Sequence, residues 1–321
     1  MKKVLVFIIA CIGLYCHVES VIAEHRVEPI PFGDFEQWAV RYIKESGIIG
    51  GKTQTIYAIA PTDTIRTNEP FIYGVGGNPW SVSNAYAKVS GVEKASGTTI
   101  PEKRGNGTCC RMNVELADVT ALGIINLHVL VNGTIFTGKT IEPIRTSKDP
   151  YQNIDFGVPF TKKPSALIFD YKAIISPEHS ITVAKGFGGV KKREGHDEAE
   201  VYVLLQKRWE DAEGNIYSAR IGTGYQRFDK TQKEWVNGYE LPIYYGDITG
   251  KPFYRDYMGF VKECRAMNSK GKIVPINEVR WGDAKEEPTH VIIMLTSGCY
   301  EAFVGREGNV FWVDNIGFVY E

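Results

Sequence analysis

The feature that most constrains the fold is a period-two alternation of apolar and polar residues, repeated in short runs along the chain. Met112, Val114 and Leu116 alternate with polar residues. A similar alternation, centred on Val203, runs over residues 200–206. Successive side chains of a β-strand point to opposite faces, so each run predicts a strand with one buried face. Further strands are predicted over 124–131, 166–174, 216–221, 290–296 and 310–320.

Turn-forming pairs separate these runs, among them Asn106-Gly107, Asn132-Gly133 and Gly214-Asn215. Long stretches of helical periodicity are scarce, and strands do not alternate regularly with helices. Many short strands with glycine-rich turns favour an antiparallel sandwich over a parallel α/β sheet. We therefore predict an all-β fold, an antiparallel β-sandwich with long loops.

The first 23 residues have the composition of an export signal. Lys2 and Lys3 form a basic tip, an apolar run follows, and small residues end the segment at Ala23. The apolar run is shorter than the roughly 20 residues that a membrane-spanning helix needs, and no later stretch approaches that length. We predict a signal peptide over 1–23 and an exported chain, in the periplasm or at the cell surface. A lipid anchor at Cys11 is not favoured, because its apolar stretch is too short.

The remaining residues, 24–321, contain neither an internal repeat nor a low-complexity linker. The simplest prediction is one elaborated β-sandwich domain. A chain of this length also has room for two sandwiches, with a boundary near 145–151, where the strand pattern is interrupted.

The charge balance excludes some partners. Without residues 1–23 the chain has 35 basic and 37 acidic residues. Nucleic acids and anionic surfaces attract clustered positive charge, so we predict no nucleic-acid partner. The one basic cluster, 191–193, lies among glycines and is predicted to be a solvated loop.

The stretch from Gly133 to Thr140 matches the phosphate-binding pattern GxxxxGK[ST]. That pattern needs a helix beginning at the Lys-Thr pair, so that its amides face the phosphates. Here Ile141 and Pro143 follow closely, which disfavours a helix. We predict a glycine-rich turn between strands and no nucleotide.

Several motifs together resemble the "Putative carbohydrate metabolism domain" family of exported Bacteroidetes proteins. They are SVSNAYAKVSGV (81–92), PEKRGNGTCCRMNVEL (101–116), FTGK (136–139), DFGVPFTKKPSALIFDYK (155–172), YVLLQKRWEDAEGN (202–215) and TSGCYEAFVGREGNVFWVDNIGFVYE (296–321). The resemblance implies a jelly-roll sandwich, export or surface attachment, and glycan handling. It implies no agreed catalytic residues, and none is carried over. It also favours a strand over a helix for the ambiguous segment that contains Trp38 and Tyr42.

The two ends of the mature chain read as a pair of neighbouring strands, FGDFEQW at 32–38 and NVFWVDNIGFVYE at 309–321. In sandwich modules of this style, carboxylates of the first and last strands often share a structural calcium. Glu36 and Asp314 hold the matching positions, so we predict a calcium site there. Ordinary surface or turn-capping carboxylates are the alternative, because calcium needs six to eight oxygens and the sequence shows only two.

Glycan recognition uses aromatic faces against sugar rings, together with polar groups for the hydroxyls. Trp38, Trp209 and Trp312 lie in alternating strands and are predicted to be core residues. The candidates for ligand binding have polar or turn-forming neighbours, which predicts loops. They are Trp80, Trp235, Trp281 and Tyr257, with Arg255 and Arg306 as hydroxyl partners.

Hydrolysis of a glycan needs two carboxyls about 5 to 10 Å apart in a cleft. Asp170, Glu200 and Glu240 lie in or beside apolar strands and are candidates, although exposed strand positions explain them equally well. Serine-hydrolase and zinc-protease patterns are absent from the sequence. Our first prediction is non-catalytic binding of a glycan or glycoconjugate. A glycoside hydrolase is one alternative, and a surface adhesin or fimbria-like structural subunit is another.

Overall fold

A computed structural model describes residues 26–89, 91–121, 125–146, 149, 151–186 and 189–321. Within these ranges the chain forms β-strands and three short 3-10 helices, Gly47–Ile49, Val75–Gly77 and Asp256–Met258, and no α-helix. The strands are β1 (Arg26–Pro29), β2 (Trp38–Lys44), β3 (Thr53–Ile59), β4 (Asp63–Ile65), β5 (Trp80–Val82), β6 (Ala85–Val89), β7 (Val92–Ser96), β8 (Thr99–Arg104), β9 (Gly107–Ala121), β10 (Ile125–Asn132), β11 (Thr134–Thr140), β12 (Ile154–Phe156), β13 (Val158–Pro159), β14 (Ala166–Ile174), β15 (Ser180–Val183), β16 (Lys185–Gly186), β17 (Lys191–Glu194), β18 (Ala199–Glu210), β19 (Ile216–Phe228), β20 (Gln232–Pro242), β21 (Tyr244–Tyr245), β22 (Arg265–Met267), β23 (Ile273–Trp281), β24 (His290–Thr296), β25 (Val304–Gly305) and β26 (Val310–Tyr320).

Most of these strands belong to two large sheets. The eight-stranded sheet has the order β16-β10-β9-β26-β14-β20, with β1 paired to β26 and β8 to β9. The ten-stranded sheet has the order β12-β11-β24-β18-β19-β23-β22, and β13, β21 and β5 pair with β24, β19 and β11. Smaller sheets are β17-β15-β25, β3-β2-β4 and β6-β7. The two large sheets are antiparallel except for the pair β19–β23.

The alternation of the sequence decides which side chains enter the main core. Phe169 and Phe311 of the eight-stranded sheet belong to one buried cluster with Val201, Val203 and Leu205 of the ten-stranded sheet. The inner faces of the two large sheets therefore pack against each other. The outer face of the ten-stranded sheet is also covered, because a second buried cluster forms around Tyr202, Leu204 and Phe156.

The structure confirms the all-β prediction and several strand boundaries. The predicted strands 166–174, 290–296 and 310–320 coincide with β14, β24 and β26, and the segment at Trp38 is strand β2. The GxxxxGK[ST] stretch lies mostly within β11, so no helix begins at Lys139, as the sequence predicts. The basic cluster at 191–193 is not a loop, because it belongs to the short exposed strand β17.

The pairing of the chain ends differs from the prediction in one respect. The last strand, β26, does pair with an N-terminal strand, but that strand is β1 rather than residues 32–38. Residues 31–34 form a turn, and Phe32 and Phe35 have positive φ angles that interrupt an extended conformation there.

The predicted signal peptide lies outside the described residues. Strands on both sides of 145–151 belong to the same two large sheets, and the division into domains stays a prediction. None of the helices in the described ranges is both long enough and apolar enough to span a membrane.

Candidate functional site

A cleft of about 1000 Å³ lies over the outer face of the ten-stranded sheet. Strands β18, β19 and β24 form part of its surface. Residues 256–264 and 298–303 line it as well, and further lining comes from strands β6, β7 and β10. This is the concave, mostly apolar kind of site in which proteins bind small molecules and sugars.

Tyrosine rings line the part of the cleft formed by β18 and β19. Tyr202 and Tyr225 are partners in the register of these strands, and their rings stack with centroids 5.4 Å apart and an angle of 28°. The Tyr257 ring lies 5.2 Å from that of Tyr225. Tyr257 is 37% exposed, whereas Tyr202 is buried. The three rings therefore run from the buried floor of the cleft to solvent.

An ion pair lies beside these rings. Glu200 and Arg227 face each other across β18 and β19, with Arg227 Nε 2.6 Å from Glu200 Oε2. The Arg227 guanidinium also lies 3.9 Å from the centroid of the Tyr257 ring and donates to the carbonyl of Cys299. The pair thus connects the floor of the cleft to the Tyr257 turn and to the segment at Cys299.

Burial changes the acidity of this group. Burial raises the pKa of the Glu200 carboxyl above its usual value, although Arg227 and a hydrogen bond from Tyr225 oppose the rise. Burial also raises the pKa of the Tyr225 hydroxyl, which keeps it protonated and able to donate. The carboxyl of Glu200, the phenol of Tyr225 and the guanidinium of Arg227 therefore lie close together at the floor of the cleft. Groups of these types form hydrogen bonds with hydroxyls such as those of sugars.

Three other acidic residues line the cleft, and each is exposed. Asp256 belongs to the 3-10 turn with Tyr257, Glu263 accepts from the amide of Lys262, and Glu301 pairs with Arg193. Glu200 is therefore the one buried carboxyl among the cleft residues that the structure describes.

Tyr257 is the one predicted ligand-binding residue that lines this cleft. Arg255 is close to it in sequence, but its guanidinium donates to the carbonyls of Pro252 and Tyr254. Arg306 lies elsewhere and pairs with Glu178 at 2.6 Å.

The three predicted loop tryptophans all lie in strands, so their loop positions were wrong. Trp80 begins β5 and is 0% exposed, with its indole N–H donating to the carbonyl of Pro31. A ring with no exposed face has no surface for a sugar. Trp281 ends β23 and packs on Phe260. Trp235 belongs to β20 of the eight-stranded sheet, away from the cleft.

The predicted calcium ligands have other partners. Glu36 accepts from the amide of Thr108, whereas Asp314 accepts from Arg104 at 2.6 Å. Asp314 already has a cationic partner, and no group of three or more His, Cys, Asp or Glu side chains in the described ranges is arranged to hold a metal ion. The calcium site stays a prediction.

Tyr202, Tyr225 and Arg227 are not among the site residues predicted from the sequence. The available signal was the outward face of β18 and β19, where Glu200, Tyr202, Tyr225 and Arg227 occupy positions that alternate with core residues. A bulky polar set on the face opposite the core indicates a second covered surface. Trp209 was also misplaced, because it is 42% exposed rather than part of the core.

Comparison with known proteins gives a family and similar solved structures. The family model described as "Putative carbohydrate metabolism domain" matches residues 62–318. A structure described as a putative glycoside hydrolase from Bacteroides thetaiotaomicron has 17% identity and a TM-score of 0.46, covering 88% of this chain and 71% of that one. Another, described in the same words and from Bacteroides vulgatus, has 12% identity and a TM-score of 0.41, covering 92% and 96%. No curated protein sequence matches this chain.

Proposed function

We propose that this chain, which belongs to the "Putative carbohydrate metabolism domain" family, binds a glycan or glycoconjugate in the cleft without chemistry. The observation that carries the proposal is the row of rings from Tyr202 through Tyr225 to Tyr257, with the Glu200–Arg227 pair beside it. A sugar ring has an apolar face and a rim of hydroxyls. Aromatic faces and charged hydrogen-bonding groups placed together complement both.

The arrangement of the carboxyls favours binding over catalysis. A glycosidase needs one carboxyl as the acid and a second as the nucleophile or base, about 5 to 10 Å away. Glu200 is held at 2.6 Å by Arg227, and the other acidic residues of the cleft are exposed to water. Among the described cleft residues, Glu200 therefore has no second buried carboxyl.

Glycoside hydrolysis is the second candidate, and one observation favours it. Burial raises the pKa of Glu200, which is the property that a general acid requires. Its partner carboxyl would come from Asp256 or Glu263, which line the same cleft.

We also infer a jelly-roll topology. Taking β9, β11, β14, β18, β19, β20, β24 and β26 as the eight main strands in chain order, the eight-stranded sheet runs first, eighth, third, sixth. The ten-stranded sheet runs second, seventh, fourth, fifth. This order, in which the chain passes repeatedly between two facing sheets, supports a jelly roll with two Greek keys. Export to the periplasm or the cell surface belongs to the same proposal.

A glycan-array screen tests this function with residues 24–321 and two variants. Tyr257→Ala removes the exposed ring of the cleft, and Tyr244→Ala removes a ring of similar exposure, 41%, in β21. We expect Tyr257→Ala to weaken binding about tenfold, because an aromatic contact is lost. Tyr244→Ala should bind like the wild type. Equal binding by all three proteins contradicts the cleft assignment.

Each glycan that binds is then incubated with the protein, and its reducing ends are counted. No new reducing ends are expected. New ends that disappear in Glu200→Gln would instead establish the hydrolase candidate. A repeat of the screen with a calcium chelator tests the predicted ion at Glu36 and Asp314. No binding to any glycan of a broad array would leave the adhesin as the better account.

A further inference from the structure

We propose a second glycan-binding surface at the tip of the β18–β19 hairpin, formed by the rings of Trp209 and Tyr217 and here named the hairpin platform. The two residues are partners across the hairpin, with ring centroids 6.0 Å apart and planes within 18° of parallel. Trp209 is 42% exposed. The two near-parallel rings give an apolar surface that the face of a sugar ring can cover, and covering it is favourable because apolar area leaves water.

The platform is held rigid by its turn. Asp211 accepts hydrogen bonds from the backbone and side-chain amides of Asn215, at 2.8 and 2.9 Å. Asp211 also binds the Tyr217 hydroxyl, and this hydrogen bond raises the pKa of Tyr217. The rings are therefore positioned before any ligand arrives, which lowers the entropy cost of binding.

Polar groups flank the rings on both sides, which identifies the occupant. Asp211 and Asn215 lie at the turn, and on the other side Lys207 lies two residues before Trp209, on the same face of β18. Lys207 Nζ is 3.1 Å from Glu286, which also binds Arg280. An apolar ring surface between two sets of hydrogen-bonding groups matches a pyranose ring, which has an apolar face and hydroxyls around its edge.

The platform is separate from the cleft. Trp209 lies nine positions after Glu200 in β18, which corresponds to about 30 Å along a strand. The side chains also point to opposite faces of the sheet, because the two positions differ by an odd number. The platform can therefore bind sugar whether or not the cleft does. Where both bind one long chain, the second contact is intramolecular and increases the apparent affinity.

Affinity electrophoresis tests this proposal with the full chain after removal of residues 1–23. Native gels contain dextran, mannan, barley β-glucan or arabinoxylan, and retardation of the protein reports binding. The variants are Trp209→Ala, Trp209→Phe, Tyr257→Ala and a control, Ile174→Ala, which removes an apolar side chain of similar exposure, 44%, from the eight-stranded sheet. Circular dichroism checks that each variant folds.

We expect Trp209→Ala to lower the apparent affinity for at least one polysaccharide about fivefold to tenfold. Trp209→Phe should retain most of the binding, because it keeps a ring, and Ile174→Ala should match the wild type. If Tyr257→Ala abolishes all retardation and Trp209→Ala none of it, the cleft is the sole site and the platform is refuted. If Tyr257→Ala has no effect and Trp209→Ala does, the platform stands and the cleft proposal fails. Absence of retardation in every gel also refutes the platform.

Discussion

The buried ion pair between Arg41 and Glu142 connects segments that lie far apart in the sequence. Both side chains are almost completely buried, and the guanidinium donates to both carboxylate oxygens, at 3.0 and 2.6 Å. Glu142 also accepts from the amides of Phe71 and Tyr86. Strand β2, the segment at Phe71 and strand β6 are therefore joined at one carboxylate.

Glu142→Gln should be strongly destabilising. The substitution leaves the Arg41 charge buried without a counter-charge, and breaking a buried pair in this way costs about 3–5 kcal/mol. Urea unfolding measures the decrease in the free energy of unfolding. The matched control is Lys88→Gln, which breaks the exposed Lys88–Glu93 pair and should cost less than about 1 kcal/mol. Similar losses in both variants would contradict the account of the buried pair.

His290 should make stability depend on pH. Burial, and to a smaller extent Arg208, lowers the pKa of His290 to about 4. In the unfolded chain the pKa is about 6.5, so between pH 6.5 and 4 the unfolded state binds more protons. The contribution of His290 to stability is therefore present above pH 6.5 and is lost as the pH falls towards 4.

Unfolding of the wild type and of His290→Gln, measured from pH 4 to 8, checks this dependence. The wild type should lose stability relative to the variant below pH 6.5, and the difference should be constant above pH 7. Two parallel curves across the whole range would show that His290 does not titrate in this way.

Individual residues of the candidate site were only partly predictable from the sequence. Glu200 was among the carboxyls selected, because it lies beside an apolar strand. Its role in the cleft depends on Arg227, which lies 27 positions later and faces it only through the register of β18 and β19. Trp209 was assigned to the core because its strand alternates, but β18 continues past the edge of the main core, and its last residues are exposed.

At the scale of elements, Arg104 connects several strands of the eight-stranded sheet. Its Nη1 atom lies 2.8 Å from Asp170 in β14 and 2.6 Å from Asp314 in β26. Its Nη2 atom donates to Asn237 in β20, and the guanidinium lies 3.9 Å from the centroid of the Trp235 ring. The end of β8 is thereby fixed to three strands.

The substitution Arg104→Met should destabilise the sheet by about 2 kcal/mol, the value of a charged hydrogen-bonded contact. It also leaves Asp170 and Asp314 facing each other as like charges. We therefore expect Asp314→Asn to restore part of the stability in the Arg104→Met background, although it should destabilise the wild type. Urea unfolding of the wild type, the two single variants and the double variant gives the coupling free energy between Arg104 and Asp314. Additive losses would contradict the bridging role of Arg104.

Strands were more predictable than the positions of the tryptophans. A short apolar run bounded by turn signals is visible locally, so β14, β24 and β26 could be located from the sequence, although both faces of β24 are largely buried. Trp235 was predicted to lie in a loop because its neighbours are polar. Those neighbours are polar because β20 is an edge strand with most of its side chains exposed, and local composition does not distinguish such a strand from a loop.

At the scale of the whole molecule, pairing between distant strands creates the cleft. Strand β24 lies between β11 and β18, which precede it by about 155 and 90 residues, and this order places Thr296 beside Glu200. No local pattern reports such pairing, because the sequence signal of a strand is the same whichever strand lies next to it. The fold class was therefore predictable and the cleft was not.

Hydrogen–deuterium exchange with a glycan selected by the array tests the central claim, that the cleft binds sugar, most directly. The account predicts slower exchange in β19 around Tyr225 and Arg227 and in the turn Asp256–Met258, because a bound glycan restricts their opening. The hairpin platform would add protection at residues 209–217. Protection confined to other parts of the chain, with unchanged exchange at Tyr225, Arg227 and the turn, would contradict the assignment of the cleft.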